Sequence, residues 1–106
     1  VDDACAMLRK ADLPESIMID ASHANSRKQP DRQIAVAQDI ASQVERGDQR
    51  ITGLMLESFI EAGRQDVVNK EDLVYGQSIT DPCMGWGDST AVLEVLANAV
   101  ERRRVG

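Results

Sequence analysis

No apolar run in this sequence approaches the roughly 20 residues that a membrane-spanning helix requires. A charged start followed by an apolar core is also missing, so no secretory signal is read. Positive charge is in deficit, with 12 bases against 18 acids for a formal net charge of -6. That argues against a nucleic-acid footprint, because binding phosphates needs a basic face. The two cysteines, Cys5 and Cys83, stand far apart with no CxxC spacing. Neither a zinc site nor a disulfide framework is indicated, and the reducing cytoplasm is the expected compartment. At 106 residues there is room for one domain at most. An initiating methionine is absent, and the first residues already read as helix, so the chain is expected to be cut from something longer.

What is present reads as strands alternating with helices. Val1, Ala4, Cys5, Leu8 and Ala11 fall on one face of an opening helix that Pro14 brings to an end. Residues 17–19 form a continuous apolar run closed by Asp20, the pattern of a strand buried on both faces. Pro30 opens a second helix with apolar positions Ile34, Val36, Ala37, Ile40, Ala41 and Val44, and Gly47 ends it. Residues 51–56 form a second buried strand, and it too runs into an acid, Glu57. A long polar loop follows, in which residues 73–75 and 77–79 flank Gly76 as a possible hairpin. Asp88 is the expected N-cap of a last helix over 88–104, with Val92, Leu93, Leu96, Ala97 and Val100 as its apolar stripe. Arg102, Arg103 and Arg104 suit the negative end of that helix's dipole.

Such alternation implies parallel pairing in an α/β layer or barrel, but two strands cannot complete a parallel sheet. A (β/α)8 barrel takes about 250 residues, so this chain matches roughly its last two strands and three helices. Residues 1–106 are therefore expected to be a carboxyl-terminal segment and not a whole domain. Unpaired strand edges in such a segment favour self-association.

Polar groups gather where the strands end: Asp20, Ser22 and His23 after the first, Glu57 after the second, and Asp81 in the long loop. Catalytic groups of parallel α/β folds collect at that edge. One imidazole and two carboxylates would suit a divalent metal such as Mn2+, Fe2+ or Zn2+. Taken singly, each residue has an ordinary alternative. The lone His23 suits a structural role, Glu57 could pair with Arg64, and Asp81 before Pro82 is a common turn residue. Met55 and Met84 read as core filler, and Cys83 as a small buried hydrophobe.

The stretches "DASHANSRK", "GLMLES", "GRQD", "LVYGQSITDPCMGW" and "VLANAVERRR" together resemble the carboxyl-terminal part of class I 3-deoxy-D-arabino-heptulosonate 7-phosphate (DAHP) synthase, the first enzyme of the shikimate pathway. The resemblance implies a (β/α)8 barrel, with residues 17–21 as the seventh strand and 51–56 as the eighth. It assigns three metal ligands: His23 in its Ser-His-Ala-Asn-Ser motif, Glu57 before Ser58, and Asp81 in Ser-Ile-Thr-Asp. The family's fourth ligand, a first-strand cysteine, matches neither Cys5 nor Cys83. Asn25, Ser26 and Lys28 would fix the turn that presents His23. The implied cofactor is Mn2+, Fe2+, Co2+ or Zn2+, and the implied substrates are phosphoenolpyruvate and erythrose 4-phosphate. Asp81 and His23 are the candidate catalytic residues, Asp81 also contacting the aldose hydroxyls, and a water near His23 or Glu57 would be the proton source. The arginine and lysine clamps for phosphate would come mostly from upstream. The complete enzyme would be a cytoplasmic homo-oligomer, and this segment alone would be inactive. Many members carry histidine where this sequence has Phe59. The competing expectation is a non-catalytic α/β binding or interaction module derived from such a barrel.

Overall fold

The computed structural model describes residues 1–27 and 29–106. Along the chain come α1 (Asp2–Lys10), β1 (Ile17–Asp20), the single turn α2 (His23–Ser26), α3 (Pro30–Glu45), β2 (Ile51–Met55), a short 3-10 turn (Lys70–Asp72) and α4 (Trp86–Val105). The expected order of helices and strands is therefore found. α2 is an addition to it.

β1 and β2 pair in parallel, with Ile17 opposite Ile51 and Asp20 opposite Met55, and with a register shift between Ile17 and Met18. The Ala21 N–H donates to the Met55 carbonyl at 2.9 Å, which carries the ladder one bond further. One face of this pair is covered. Ile17, Ile19, Ala21, Ile51, Leu54 and Leu56 pack against Ile40, Ala41 and Val44 of α3 and against Leu96, Ala99 and Val100 of α4. A smaller cluster joins Ala37, Met84 and Val92 beside it. The opposite face is open: Met18 is 69% exposed and Thr52 is exposed. The continuous apolar strands thus have only one covered face here, because α3 and α4 both lie on the same side.

α3 begins with Pro30 at its first position, where a missing N–H is harmless. It stops before Gly47, whose φ of +104° is the left-handed conformation that ends many helices. On α1 the expected apolar stripe is only partly used. Cys5 is fully buried and Leu8 half-buried, while Ala4 and Ala11 stay exposed.

α4 differs from expectation at its start and on its face. Gly85 and not Asp88 is the N-cap, and the Trp86 N–H donates to the Ile60 carbonyl at 3.1 Å. Asp88 lies inside the first turn, where its charge suits the positive end of the helix without capping it. The buried stripe runs Ser89, Val92, Leu96, Ala99, Val100; Leu93 and Ala97 face outward. Two of the three terminal arginines are tied to the α3–β2 corner. Arg102 pairs with Glu45, and Arg103 donates to the carbonyls of Asp48 (2.9 Å) and Ile51 (3.1 Å).

The hairpin around Gly76 does not form. Residues 73–75 are exposed, and the partners of this excursion are isolated bridges: Ser58 with Met84, Gly63 with Cys83, and Arg64 with Ser78. A side chain takes the place of the expected ladder. The Gln65 amide accepts from the Val74 N–H at 2.9 Å and donates to the carbonyls of Val74 (2.8 Å) and Gln77 (3.1 Å). Met84 at the end of the excursion fills the core as expected, 1% exposed, whereas Met55 is only half-buried.

Candidate metal centre

The turn that carries His23 is built by its neighbours. His23 has φ of +46°, a left-handed conformation that costs a residue with a side chain about 1–3 kcal/mol. Such a conformation persists where surrounding contacts fix it. The Ser22 N–H donates to Asp20 Oδ1 at 2.8 Å, Asn25 Nδ2 donates to the Asp20 carbonyl, and Ser26 Oγ donates to the His23 carbonyl at 3.3 Å. Ser26 is buried and Asn25 exposed. Lys28, expected to share in this turn, lies outside the described residues.

Asp20 then fixes the ring. Its Oδ2 lies 2.9 Å from His23 Nδ1, which leaves Nε2 to face the opposite side. Nε2 lies 2.7 Å from Glu57 Oε1 and 3.4 Å from Asp81 Oδ2. The hydrogen bond to Asp20 raises the His23 pKa above its ordinary value, and the charge of Glu57 adds to the shift. The same bond lowers the Asp20 carboxyl. An imidazole nitrogen confronted by two carboxylates calls for a cation, either a proton on the ring or a metal ion.

The two carboxylates come from different supports. Glu57 follows β2 and its backbone is gripped by Gln33 of α3. Asp81 arrives from the excursion, just past Thr80, whose carbonyl accepts from Arg64 Nε at 2.7 Å and whose N–H donates to Ser78 Oγ at 3.1 Å. Arg64 also pairs with Asp66 at 2.6 Å, so the alternative pairing of Glu57 with Arg64 does not occur.

His23, Glu57 and Asp81 each offer one donor atom within 4.8 Å of the others. Among the described residues this is the one group of three or more such side chains that could hold a metal ion. Donors held at about 2.0–2.2 Å from a single ion stand roughly 3 Å apart. The two separations from Nε2 bracket that figure. With Ser22 and Pro82 the three side chains line a cavity of about 10 Å3, space for a guest no larger than one water-sized sphere. The donor set therefore fits a small divalent cation.

The nearby cysteine is not one of these donors. Cys83 Sγ lies 3.5 Å from the Asp81 carbonyl, and burial raises its thiol pKa. Cys5 is the buried residue of α1 and is not a member of the cluster. Phe59 is partly exposed and brings no titratable group to the position after Ser58. Gln33 escaped the sequence reading, and Asp20, although placed at the strand end, was given no role toward His23. Asp20 ends β1 three residues before His23, a spacing that would have pointed to it. Gln33 could have been found as the polar residue one turn before Ala37 on the buried stripe of α3.

Comparison with known proteins bears on this arrangement. The family model described as the DAHP synthetase I family matches residues 1–94. A protein of Escherichia coli named "Phospho-2-dehydro-3-deoxyheptonate aldolase, Trp-sensitive" is 48% identical over 100 residues, which cover 94% of this chain and 29% of that protein. A protein of the same name from Buchnera aphidicola is 51% identical over the same shares. A solved structure of the phospho-2-dehydro-3-deoxyheptonate aldolase of Francisella tularensis superposes with a TM-score of 0.91 at 46% identity, covering 97% of this chain and 30% of that one. The chain spans less than a third of the length of each of these relatives.

Proposed function

Since this chain belongs to the DAHP synthetase I family, we propose that it is the carboxyl-terminal segment of a (β/α)8 barrel, and that the whole protein is a metal-dependent DAHP synthase. The reaction joins phosphoenolpyruvate to erythrose 4-phosphate, with water consumed and inorganic phosphate released, in the first step of aromatic amino acid biosynthesis. The observation that carries the reading is the convergence of His23, Glu57 and Asp81 at the carboxyl ends of two parallel strands. Strand ends are where barrel enzymes keep their chemistry. The open face around Met18 supports the same view, because in a barrel it would be covered by residues from the remaining strands.

His23 Nε2, Glu57 and Asp81 would hold the divalent ion, for which Mn2+, Fe2+, Co2+ and Zn2+ all accept this donor set. When bound, the ion supplies Lewis acidity that polarises the aldehyde of erythrose 4-phosphate. The chain's own residues prepare that site. Asp20 holds the ring so that Nε2 faces Glu57 and Asp81, Asn25 and Ser26 hold the turn, and the exposed Asp81 is free to contact the aldose hydroxyls as well. The groups that recognise phosphate and carboxylate would be supplied by the rest of the barrel. The complete protein is read as a cytoplasmic homo-oligomer; this segment alone would be inactive and prone to associate through its open strand edges.

The test is an assay of phosphoenolpyruvate consumption by the complete protein before and after chelation. Activity should vanish with chelator, return with Mn2+, and be absent from His23→Ala, Glu57→Gln and Asp81→Asn. Full turnover by a chelated enzyme, or by any of the three variants, would contradict the assignment.

A further inference from the structure

The buried stripe of α3 has one polar member. Gln33 shares a face with Ala37, Ile40, Ala41 and Val44, and it is 0% exposed. A carboxamide so deeply buried is tolerated when both of its ends are hydrogen-bonded. Here both ends go to one residue. Gln33 Oε1 accepts the Glu57 backbone N–H at 2.8 Å, and Nε2 donates to the Glu57 carbonyl at 3.1 Å. This is the pair of bonds a neighbouring strand would have made, supplied after β2 has stopped pairing with β1 at Met55. The same carbonyl also accepts the Met84 N–H at 2.9 Å, so the returning end of the excursion is fastened to the residue that Gln33 holds. Among the described residues the Glu57 N–H has no such second partner.

We infer that Gln33 is a positioning residue for the metal centre: by clamping the Glu57 backbone to α3 it sets where the Glu57 carboxylate meets His23 Nε2. The inference rests on the metal reading given above. An apolar side chain would serve the packing of α3 equally well, but it would leave the Glu57 N–H without an acceptor and the ligand free to shift. Residues that orient a ligand without touching the ion typically alter affinity by about 10- to 100-fold. The role predicted for Gln33 falls in that range, although the side chain lies in the helix layer.

The experiment is a Mn2+ titration of the complete protein, followed by electron paramagnetic resonance, on the wild type, Glu57→Gln, Gln33→Met, Gln33→Asn and Val44→Ala. Denaturant midpoints are recorded for each. Gln33→Met should weaken Mn2+ binding about 10- to 100-fold, and Gln33→Asn, whose amide is too short to span both bonds, should weaken it as well. Val44→Ala removes buried contact on the same helix without touching Glu57, and should lower the midpoint while leaving the Kd for Mn2+ unchanged. If Gln33→Met fails to fold, Gln33→Asn decides. Wild-type affinity in a folded Gln33 variant, or an equal loss in Val44→Ala, would overturn the positioning role while the metal reading stands. Wild-type affinity in Glu57→Gln would overturn the metal reading, and the inference with it.

Discussion

The two carboxylates that face His23 come from regions held together in different ways. Glu57 leaves β2 at the edge of the layer formed by β1, β2, α3 and α4, and its side chain is 18% exposed. Asp81 is 63% exposed and rides on the excursion of residues 58–85, in which only Ser78 and Met84 are buried. The layer is held by apolar burial. The excursion is held by scattered hydrogen bonds: backbone pairs such as Gly63 with Cys83 and Gln65 with Ser78, and the side chains of Gln65, Gln77 and Arg64 bonded to backbone. Each such bond adds about 0.5–1.5 kcal/mol net, so the excursion should loosen piecemeal while the layer should fail as a unit.

Two glycines sharpen that contrast, and they carry the largest effect expected on stability. Gly76 has φ of +79°, and a Cβ there would stand 2.9 Å from Ile60 Cβ. Gly76→Ala should therefore cost about 1–3 kcal/mol from the backbone alone with the clash in addition, and the damage should stay local. The readout is hydrogen exchange, faster at Glu61, whose N–H donates to the Gly76 carbonyl, and at Gln65. Gly47 has φ of +104° with nothing within 4 Å of a new Cβ. Gly47→Ala should cost roughly 1–2 kcal/mol, seen as a lower denaturant midpoint for the whole layer. If Gly76→Ala also moved the global midpoint and left the excursion's exchange unchanged, the two regions would not differ as described.

A smaller effect tests the layer by pH. The guanidinium of Arg50 pulls the Asp48 carboxyl down to about 2, and the pair links the α3–β2 corner to Asp2 at the start of α1. A lowered folded-state pKa stabilises fully above the unfolded value of about 3.9. That contribution is lost as pH falls through about 2. Asp48→Asn should lower stability at neutral pH by on the order of 1 kcal/mol, since Arg50 is partly open to water. It should also flatten the acid limb of the stability curve. An unchanged acid limb in the variant would mean that the pair contributes nothing.

The same contrast explains how much of the molecule was legible in its sequence. The layer's elements are set by local patterns: the apolar run before Asp20, Pro30 and Gly47 at the ends of α3, and the run before Glu57. Within the excursion the local signal misled. Residues flanking Gly76 have strand character, but most of their bonds run to Ala62 and to the backbone and side chain of Gln65, and no short-range pattern encodes such bonds. The start of α4 was displaced for a related reason, since Gly85 caps the helix, with the Ile60 carbonyl beside it, three residues before the better-known capping residue Asp88. At the site, His23 and Glu57 stood out by chemical type and by their place after strand ends, and Asp81 by chemical type in the long loop. Their spacing could not show that they meet. That depends on the parallel register of β1 and β2 and on the excursion folding back at Met84. Gln33 was hidden because a glutamine on an amphipathic helix is normally assigned to the solvent face.

The central claim is that His23 binds a metal through Nε2, and spin-echo modulation of the Mn2+-loaded complete protein tests it most directly. The account predicts a nitrogen coupling from one imidazole, present in the wild type and absent from His23→Ala. A coupling that survives in His23→Ala, or a wild-type protein whose bound Mn2+ shows no imidazole nitrogen at all, would contradict it.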